Sequence, residues 1–284
     1  MPQTPPVVLT IAGFDPSSGA GITADIKTIA AHGCYGVACI TALTVQSTQG
    51  VSRVEALPAR LISETLKELS RDVEIAAVKI GMLGSAEVVA AVADFLQSSK
   101  QANVVLDPIL RSTSGARLLE PKGEKLMTER LLPLSTVITP NLEEAASISG
   151  LPVTNLDEMK AAALRLHELG AANVVITGGH LEKATDLLSF THPNGGIETQ
   201  VFKADRQRSR STHGTGCAFA SALACHLAHD RALPEAVLLA KAYVAAAITH
   251  AQPLGRGTGP LDHLYRMHQA PRRQAAVADP EPVS

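Results

Sequence analysis

Tryptophan is absent from this chain, and aromatic residues make up only 3% of its 284 residues. A core organised around large rings is excluded, so Ala, Val, Leu and Ile must fill the interior of a chain that is 45% hydrophobic. The length suffices to bury a substantial core without covalent staples. Cysteine is scarce as well: the four are Cys34, Cys39, Cys217 and Cys225, and no two have CxxC spacing. That argues against a structural zinc site. Disulfides are poorly supported too, because the opening MPQTPP has neither the basic nor the apolar segment of a secretory leader. Free thiols in a reducing, cytoplasmic compartment are the expectation.

Neither sign of charge is in large excess. A formal net charge of -2 excludes a broad basic surface, so nucleic acid is not an expected partner. The cluster Arg206, Arg208 and Arg210 reads as a solvated loop before a helix, with help in attracting a phosphate ligand as the sharper alternative. Apolar runs are interrupted by charge, glycine or proline, which leaves no bilayer span and no membrane partner to expect.

What is present is alternation. Residues 7–12 read as a buried strand, 13–21 as a small-residue loop, and 22–32 as a helix with Ile22, Ile26 and Ile29 inward and Lys27 in solvent. A β-branched run at 34–45 leads into the polar loop 46–50, and Pro58 opens a helix at 59–71. Strands at 75–80, 103–107 and 173–177 alternate with helices at 85–98, 142–149 and 155–169. This pattern predicts βαβ units and a mainly parallel sheet with helices on both faces. Residues 184–203 read as a hairpin forming a small antiparallel edge, and helices follow at 214–229 and 234–251. A single domain over 7–269 is expected, between a flexible segment 1–6 and a disordered tail 270–284.

The segment STHGTGC at 211–217 runs directly into an apolar helix. Gly214 and Gly216 permit tight turns and close ligand approach. Amides at the start of the helix can face phosphate oxygens, and Thr212 or Thr215 can add a hydroxyl. A ligand-free connector is an equal reading from this string alone. The ending is not that of a Walker P-loop, and the early GAG cluster lacks dinucleotide-fingerprint spacing. Cys217 stands where amide ends would stabilise a thiolate, able to accept a proton from a substrate hydroxyl or to orient it. The alternative is a small core residue, the reading given to Cys225.

Asp107 ends a strand before Pro108, and Glu144 lies in the first turn of a helix after TPN. On one rim, the two carboxylates could hold magnesium beside phosphates; separately, they are a turn former and a helix-start acid. Asp25 and Gln46 could meet the amino and ring nitrogens of a polar heterocycle, but surface charge and a loop cap are the simpler readings. Met82 lines an apolar ring pocket or fills core.

Seven motifs together are far more specific than any one. They are AGFDPSSGAGITADIKT (12–28), TALTVQSTQGV (41–51), KIGMLGS (79–85), VVLDPIL (104–110), ITPNLEEA (138–145), THGTGCAFASALA (212–224) and GRGTGPLDH (255–263). Over about residues 7–265 the chain resembles the hydroxymethylpyrimidine and phosphomethylpyrimidine kinases of thiamine biosynthesis. The resemblance implies a ribokinase-like three-layer α/β/α sandwich and ATP- and Mg2+-dependent phosphorylation of a pyrimidine hydroxymethyl group and then of its monophosphate. It also implies a homodimer. It assigns Gly13, Asp25, Gln46, Met82 and Ile109 to the pyrimidine pocket, and Asp107 and Glu144 to the metal. Asn141, Thr177, Gly179, Thr212 and His213 fall on the nucleotide side. Gly214, Thr215 and Gly216 form the anion hole, and Cys217 is the proposed base. Phe14, Ser18 and Thr177 depart from the family pattern, which usually has a small residue, glycine and lysine there. Pyridoxal kinase, a monophosphate-only pyrimidine kinase and a non-catalytic pyrimidine-binding protein remain as alternatives.

Overall fold

A computed structural model describes residues 4–112, 115–179, 184–192, 194–205, 207 and 209–269. Arg206, Arg208 and the tail expected from 270 onward lie outside the described residues, and Arg210 is exposed. The first unit is β1 (Val7–Phe14), α1 (Gly21–Ala31) and β2 (Tyr35–Ser47), and the strands pair in parallel. After β3 (Gly50–Ala56) and α2 (Ala59–Asp72), β4 (Ile75–Ile80) returns to the other side of β1, also in parallel. The alternation continues through α3 (Ala86–Ser99), β5 (Val104–Leu106), α4 (Pro121–Arg130), β6 (Val137–Ile138), α5 (Leu142–Ser149), α6 (Leu156–Glu168) and β7 (Asn173–Ile176). The hairpin of β8 (Ala184–Thr191) and β9 (Ile197–Ala204) precedes α7 (Thr215–Ala228), α8 (Leu233–His250) and the short α9 (Tyr265–Gln269). The sheet has nine strands in the order β3-β2-β1-β4-β5-β6-β7-β8-β9.

Strand alternation explains the layers. Leu9, Ile11, Val78, Ile80, Val104 and Leu106 point to one face and pack with α2 to α6. Val8, Ala77 and Val105 point to the other and pack with α1, α7 and α8. Side chains two apart along a strand share a face, so buried parallel strands need apolar residues on both faces. The expected boundaries follow from local chemistry. Ser85 caps α3 by accepting from Val88 N at 3.3 Å, and Pro58 immediately precedes α2.

Two expectations change. The polar stretch at 46–50 is not a loop: β2 continues to Ser47, and β3 pairs back on it antiparallel, leaving Thr48 and Gln49 as the turn. Its polar composition reflects an edge ribbon with one face exposed and the other half-buried, and antiparallel strands close both edges of the sheet rather than one. Lys27 does not point freely into solvent. Its ammonium donates to Ser18 O at 2.6 Å, and burial lowers its pKa.

Helix α7 is buried almost all round, including the expected Phe219, Leu223, Leu227, Ala218 and Ala222. An all-apolar surface marks a helix enclosed by protein, and α7 lies between the sheet, α1 and α8. Leu223→Ala should therefore destabilise the protein by about 2–5 kcal/mol. A urea midpoint unchanged by this substitution would contradict that enclosure.

Candidate functional site

The C-terminal ends of β1, β4, β5 and β6 form one rim, and the first turn of α7 faces it. Gly214 has φ +84°, and a Cβ there would lie 1.8 Å from Gly19 O, so only glycine lets the two backbones meet. Thr215 spends its hydroxyl on Thr212 O at 2.7 Å and its amide on the same oxygen at 3.4 Å, which shapes the turn. Gly216 is exposed. A Cβ on it would lie 3.8 Å from Asp107 Oδ2, so the glycine sits directly opposite that carboxylate.

Asp107 is buried, and its Oδ2 has no hydrogen-bond partner. Burial pushes its pKa up to about 6, against the pull of Lys79. Glu144 closes a capping box with Asn141: Asn141 N donates to Glu144 Oε2 at 3.0 Å, and Asn141 Oδ1 accepts from Glu144 N at 2.9 Å. Burial, and then repulsion from Asp107, push Glu144 up to about 8. The rim thus brings together two mutually repelling carboxyls, one with an orphaned oxygen. Such an oxygen-only pair suits a hard cation that keeps water and shares phosphate ligands. Among the described residues no group of three His, Cys, Asp or Glu could form a complete protein cage.

Beneath this rim lies a charged core that the sequence reading did not single out. Thr10 and Lys79 are register partners on β1 and β4 and share a face with Val105. Lys79 is fully buried and bonds both Asp25 oxygens, at 3.0 and 2.9 Å. Thr10 Oγ1 donates to Asp25 Oδ2 at 2.6 Å, and Ser221 Oγ donates to Oδ1 at 2.8 Å. Asp25 is therefore neither a surface charge nor a free ring contact. It is the anchor of a buried pair. Burial works against the Lys79 ammonium, but Asp25, backed by Cys217 and Asp107, pushes its pKa up. A lysine inside the apolar run IAAVKI was the available signal, because a buried cation requires an anion.

Cys217 is the third residue of α7 and is buried. Burial pushes its thiol up to about 12 in spite of Lys79 and a hydrogen bond from the Gly21 amide. The expected ready thiolate is thus corrected to a resting thiol, because desolvation outweighs the helix terminus.

Three residues assigned to the ring pocket, Gly13, Met82 and Ile109, lie together in an apolar cluster. A Cβ on Gly13 would come 2.9 Å from Met82 Sδ, and Met82 clusters with Ala42, Leu118 and Ile109. Thr41 Oγ1 donates to Met82 O at 2.6 Å and fixes that backbone. Gln46 turns toward His213, with Nε2 atoms 3.1 Å apart, and accepts from Thr44 Oγ1 at 3.2 Å. His213 Nε2 also lies 2.8 Å from Asp15 Oδ2. Burial of Asp15 opposes its charge, but hydrogen bonds from His213 and Ser17 lower its pKa. Asp15 went unnoticed in the sequence; an acid inside a Gly/Ser loop just past a strand was the clue. Ser18 adopts φ +61°, the left-handed conformation that glycine takes more readily. Thr177 pairs with Asn141 across the β7 and β6 ends, its amide donating to Pro140 O at 2.9 Å, and Gly179 is exposed beside it.

A three-layer sandwich with its polar residues on the strand-end rim defines the ribokinase-like class. Within that class, the chain belongs to the phosphomethylpyrimidine kinase family, whose model matches residues 15–262. It is 43% identical over 267 residues to the hydroxymethylpyrimidine/phosphomethylpyrimidine kinase of Streptomyces coelicolor, covering 94% of this chain and 97% of that one. It is also 43% identical over 257 residues to the thiamine biosynthesis bifunctional protein ThiED of Geobacter sulfurreducens. That match covers 90% of this chain but 52% of the relative, about half its length. An ADP complex of Bacillus subtilis pyridoxal kinase superposes with a TM-score of 0.83 at 33% identity, covering 93% of this chain and all of that one.

Two measurements test this geometry. Lys79→Met should cost about 3–5 kcal/mol by stranding Asp25, and Asp25→Leu combined with it should cost far less than the two single changes added together. Additive losses in urea titrations would show the pair to be uncoupled. Raised folded-state pKa values stabilise the fold at low pH. The Glu144 contribution is complete below about 4.5 and lost as pH rises through about 8; that of Asp107 is lost from about 3.8 through 6. Without divalent cations, the parent should lose melting temperature across pH 4.5–8 relative to Glu144→Gln, so parallel profiles would contradict the assignment.

Proposed function

We propose that this protein transfers a phosphoryl group from ATP to the hydroxymethyl group of 4-amino-5-hydroxymethyl-2-methylpyrimidine, and then to the resulting monophosphate. The observation that carries the reading is the opposition of Asp107 to the exposed Gly216 at the start of α7. That arrangement puts an anion-binding backbone against a carboxyl pair fit for a hard cation. Gly13, Met82 and Ile109 wall the ring, and Gln46 offers a polar edge. Asn141, Thr177, Gly179, Thr212 and His213 lie toward the nucleotide. Asp25 serves as a positioning residue, holding Lys79 under the reacting groups.

Asp107 and Glu144 would hold Mg2+, directly or through water, and the ion would offset charge on the phosphates. Amides of Gly214, Gly216 and Cys217 stabilise charge on the transferring group, while Thr215 holds the turn through Thr212 O. Cys217 receives the substrate hydroxyl proton as the new O–P bond forms and the bond from the γ-phosphorus to the bridging oxygen breaks, releasing ADP. Only its ionised fraction can do so, and Lys79 favours that fraction. In the second step a phosphate oxygen is the nucleophile and needs less help. A cytoplasmic homodimer completes the reading; light scattering in solution tests the assembly.

Cys217→Ala should lower the first step about 100-fold and the second much less. The parent's first-step rate should rise with pH below the thiol's value, and the variant's should not. Equal, negligible losses in both steps would remove Cys217 as the base. The likeness to a pyridoxal kinase supports a second reading, with pyridoxal as the alcohol. Turnover of pyridoxal but not of the pyrimidine, in parallel assays with ATP, would replace the first reading with the second.

A further inference from the structure

Where the first loop, the edge ribbon and the start of α7 meet, two side chains converge on one imidazole nitrogen. His213 Nε2 lies 2.8 Å from Asp15 Oδ2 and 3.1 Å from the Gln46 amide. The imidazole has little freedom. His213 N donates to Gly259 O at 3.0 Å, and the ring rests on Gly19, where a Cβ would come 2.3 Å from Cδ2. The His213 side chain is 12% exposed and that of Asp15 only 4%. The ring is therefore seated before any ligand arrives.

An imidazole nitrogen either carries a hydrogen or offers a lone pair, never both. The surroundings of Asp15 decide which. Its Oδ1 accepts from Ser17 N at 2.8 Å and Ser17 Oγ at 2.7 Å, and its Oδ2 accepts from Ala20 N at 2.9 Å. A carboxyl so ringed by donors is held ionised, and it takes a hydrogen from His213 Nε2 as well. An N–H of Gln46 finds no acceptor there, because donor would face donor. The two ends of a glutamine amide are alike in shape, so their partners decide which end faces which. With its oxygen toward His213, Gln46 accepts from the same Nε2–H. Its nitrogen then donates to Thr44 Oγ1, 3.2 Å from the other end of the amide. Thr44 can accept because its own hydrogen goes to Phe14 O at 2.9 Å. Each of these hydrogens then has an acceptor.

We propose that Asp15 is a positioning residue that selects the ring: through His213 it fixes the orientation of the Gln46 amide, and that orientation matches an aminopyrimidine. The inference deepens the kinase reading and rests on it, since Gln46 is the polar edge given to the pyrimidine. Held in this way, Gln46 keeps one oxygen lone pair and one N–H for a ligand, in a fixed order. A ring with an amino group beside an unprotonated ring nitrogen presents a donor and an acceptor in the complementary order. The 4-oxo analogue, with a hydrogen on that ring nitrogen, presents the reverse. Turned over, the amide would meet the amino group with its own N–H. Such a mismatch in a shielded site costs roughly tenfold or more in recognition.

The test has two arms on the full-length protein. Nitrogen-15 spectra of labelled histidines, with His213 assigned by its loss in His213→Gln, report which ring nitrogen bears hydrogen. A hydrogen on Nε2 of the unliganded parent is expected, and a lone pair there would overturn the inference. The second arm compares ATP-dependent phosphorylation of 4-amino-5-hydroxymethyl-2-methylpyrimidine with that of its 4-oxo analogue. The parent should favour the amino ring. In Asp15→Asn the two Ser17 donors hold the remaining oxygen, so the new NH2 faces His213 and takes the lone pair of Nε2. The kcat/KM ratio of amino to oxo ring should then fall roughly tenfold or more, chiefly through KM for the amino ring. Damage to the loop alone would lower both substrates together and leave the ratio unchanged, which would overturn the inference while the kinase reading stands. A parent that phosphorylates neither ring would defeat that reading, and the selection with it. Should Asp15→Asn not fold, His213→Phe keeps the bulk of the ring, removes its N–H and is judged by the same ratio.

Discussion

The Asp25–Lys79 pair is the constraint around which the rest of the molecule is arranged. Two unit charges without water are costly unless each lone pair and proton finds a partner. Here α1 supplies the carboxylate, β4 the ammonium, β1 the Thr10 hydroxyl and α7 the Ser221 hydroxyl. Four elements from three separate stretches of the sequence must therefore meet at one point in one register. A slip of one residue in β4 would turn Lys79 to the opposite face of the sheet, among the leucines and valines packed under α2 and α3. The pair fixes the fold's alignment more by the penalty it sets on alternatives than by net stability.

The same pair prepares the chemistry above it. Cys217 and Asp107 both sense the ammonium, one turn of helix and one strand end away. An apolar core carries no charge to this position, and a solvated lysine would be screened there. Burial strengthens the influence of Lys79 on its neighbours and also raises the thiol and the two carboxyls. At neutral pH the Cys217 thiol and Glu144 thus keep their protons while Asp107, near 6, is largely ionised, and a cation arriving there has to displace the Glu144 proton.

Much of this organisation was legible in the residues. The strands IAAVKI and NVVI and the helices at 142–149 and 155–169 follow from apolar runs and caps, and the structure has them within a residue or two. The sandwich followed from alternation. The β2–β3 ribbon was hidden because QSTQG carries turn residues, and nothing in a polar string says that it continues a ladder. Asp25 was misjudged for a related reason. Its place on α1 was readable, but a helix's inward face can accept an acid only if a lysine some fifty residues later points back at it. The thiol of Cys217 shows the limit of motif reading: a helix N-terminus argues for ionisation, and only three-dimensional enclosure reveals that desolvation prevails. Resemblance named the site residues; physical reading of the string alone left several of them at even odds.

His213 is held at its ring by Asp15, at its backbone by Gly259 O, and against Gln46 from the edge ribbon. One imidazole therefore joins stretches from the beginning and the end of the chain. Contacts of such wide sequence separation form late and slowly. A nascent polypeptide that has not reached residue 259 can bury its first strands, but it cannot close this junction, so a ligand held there would not select or stabilise the fold until both sides of the junction have been made.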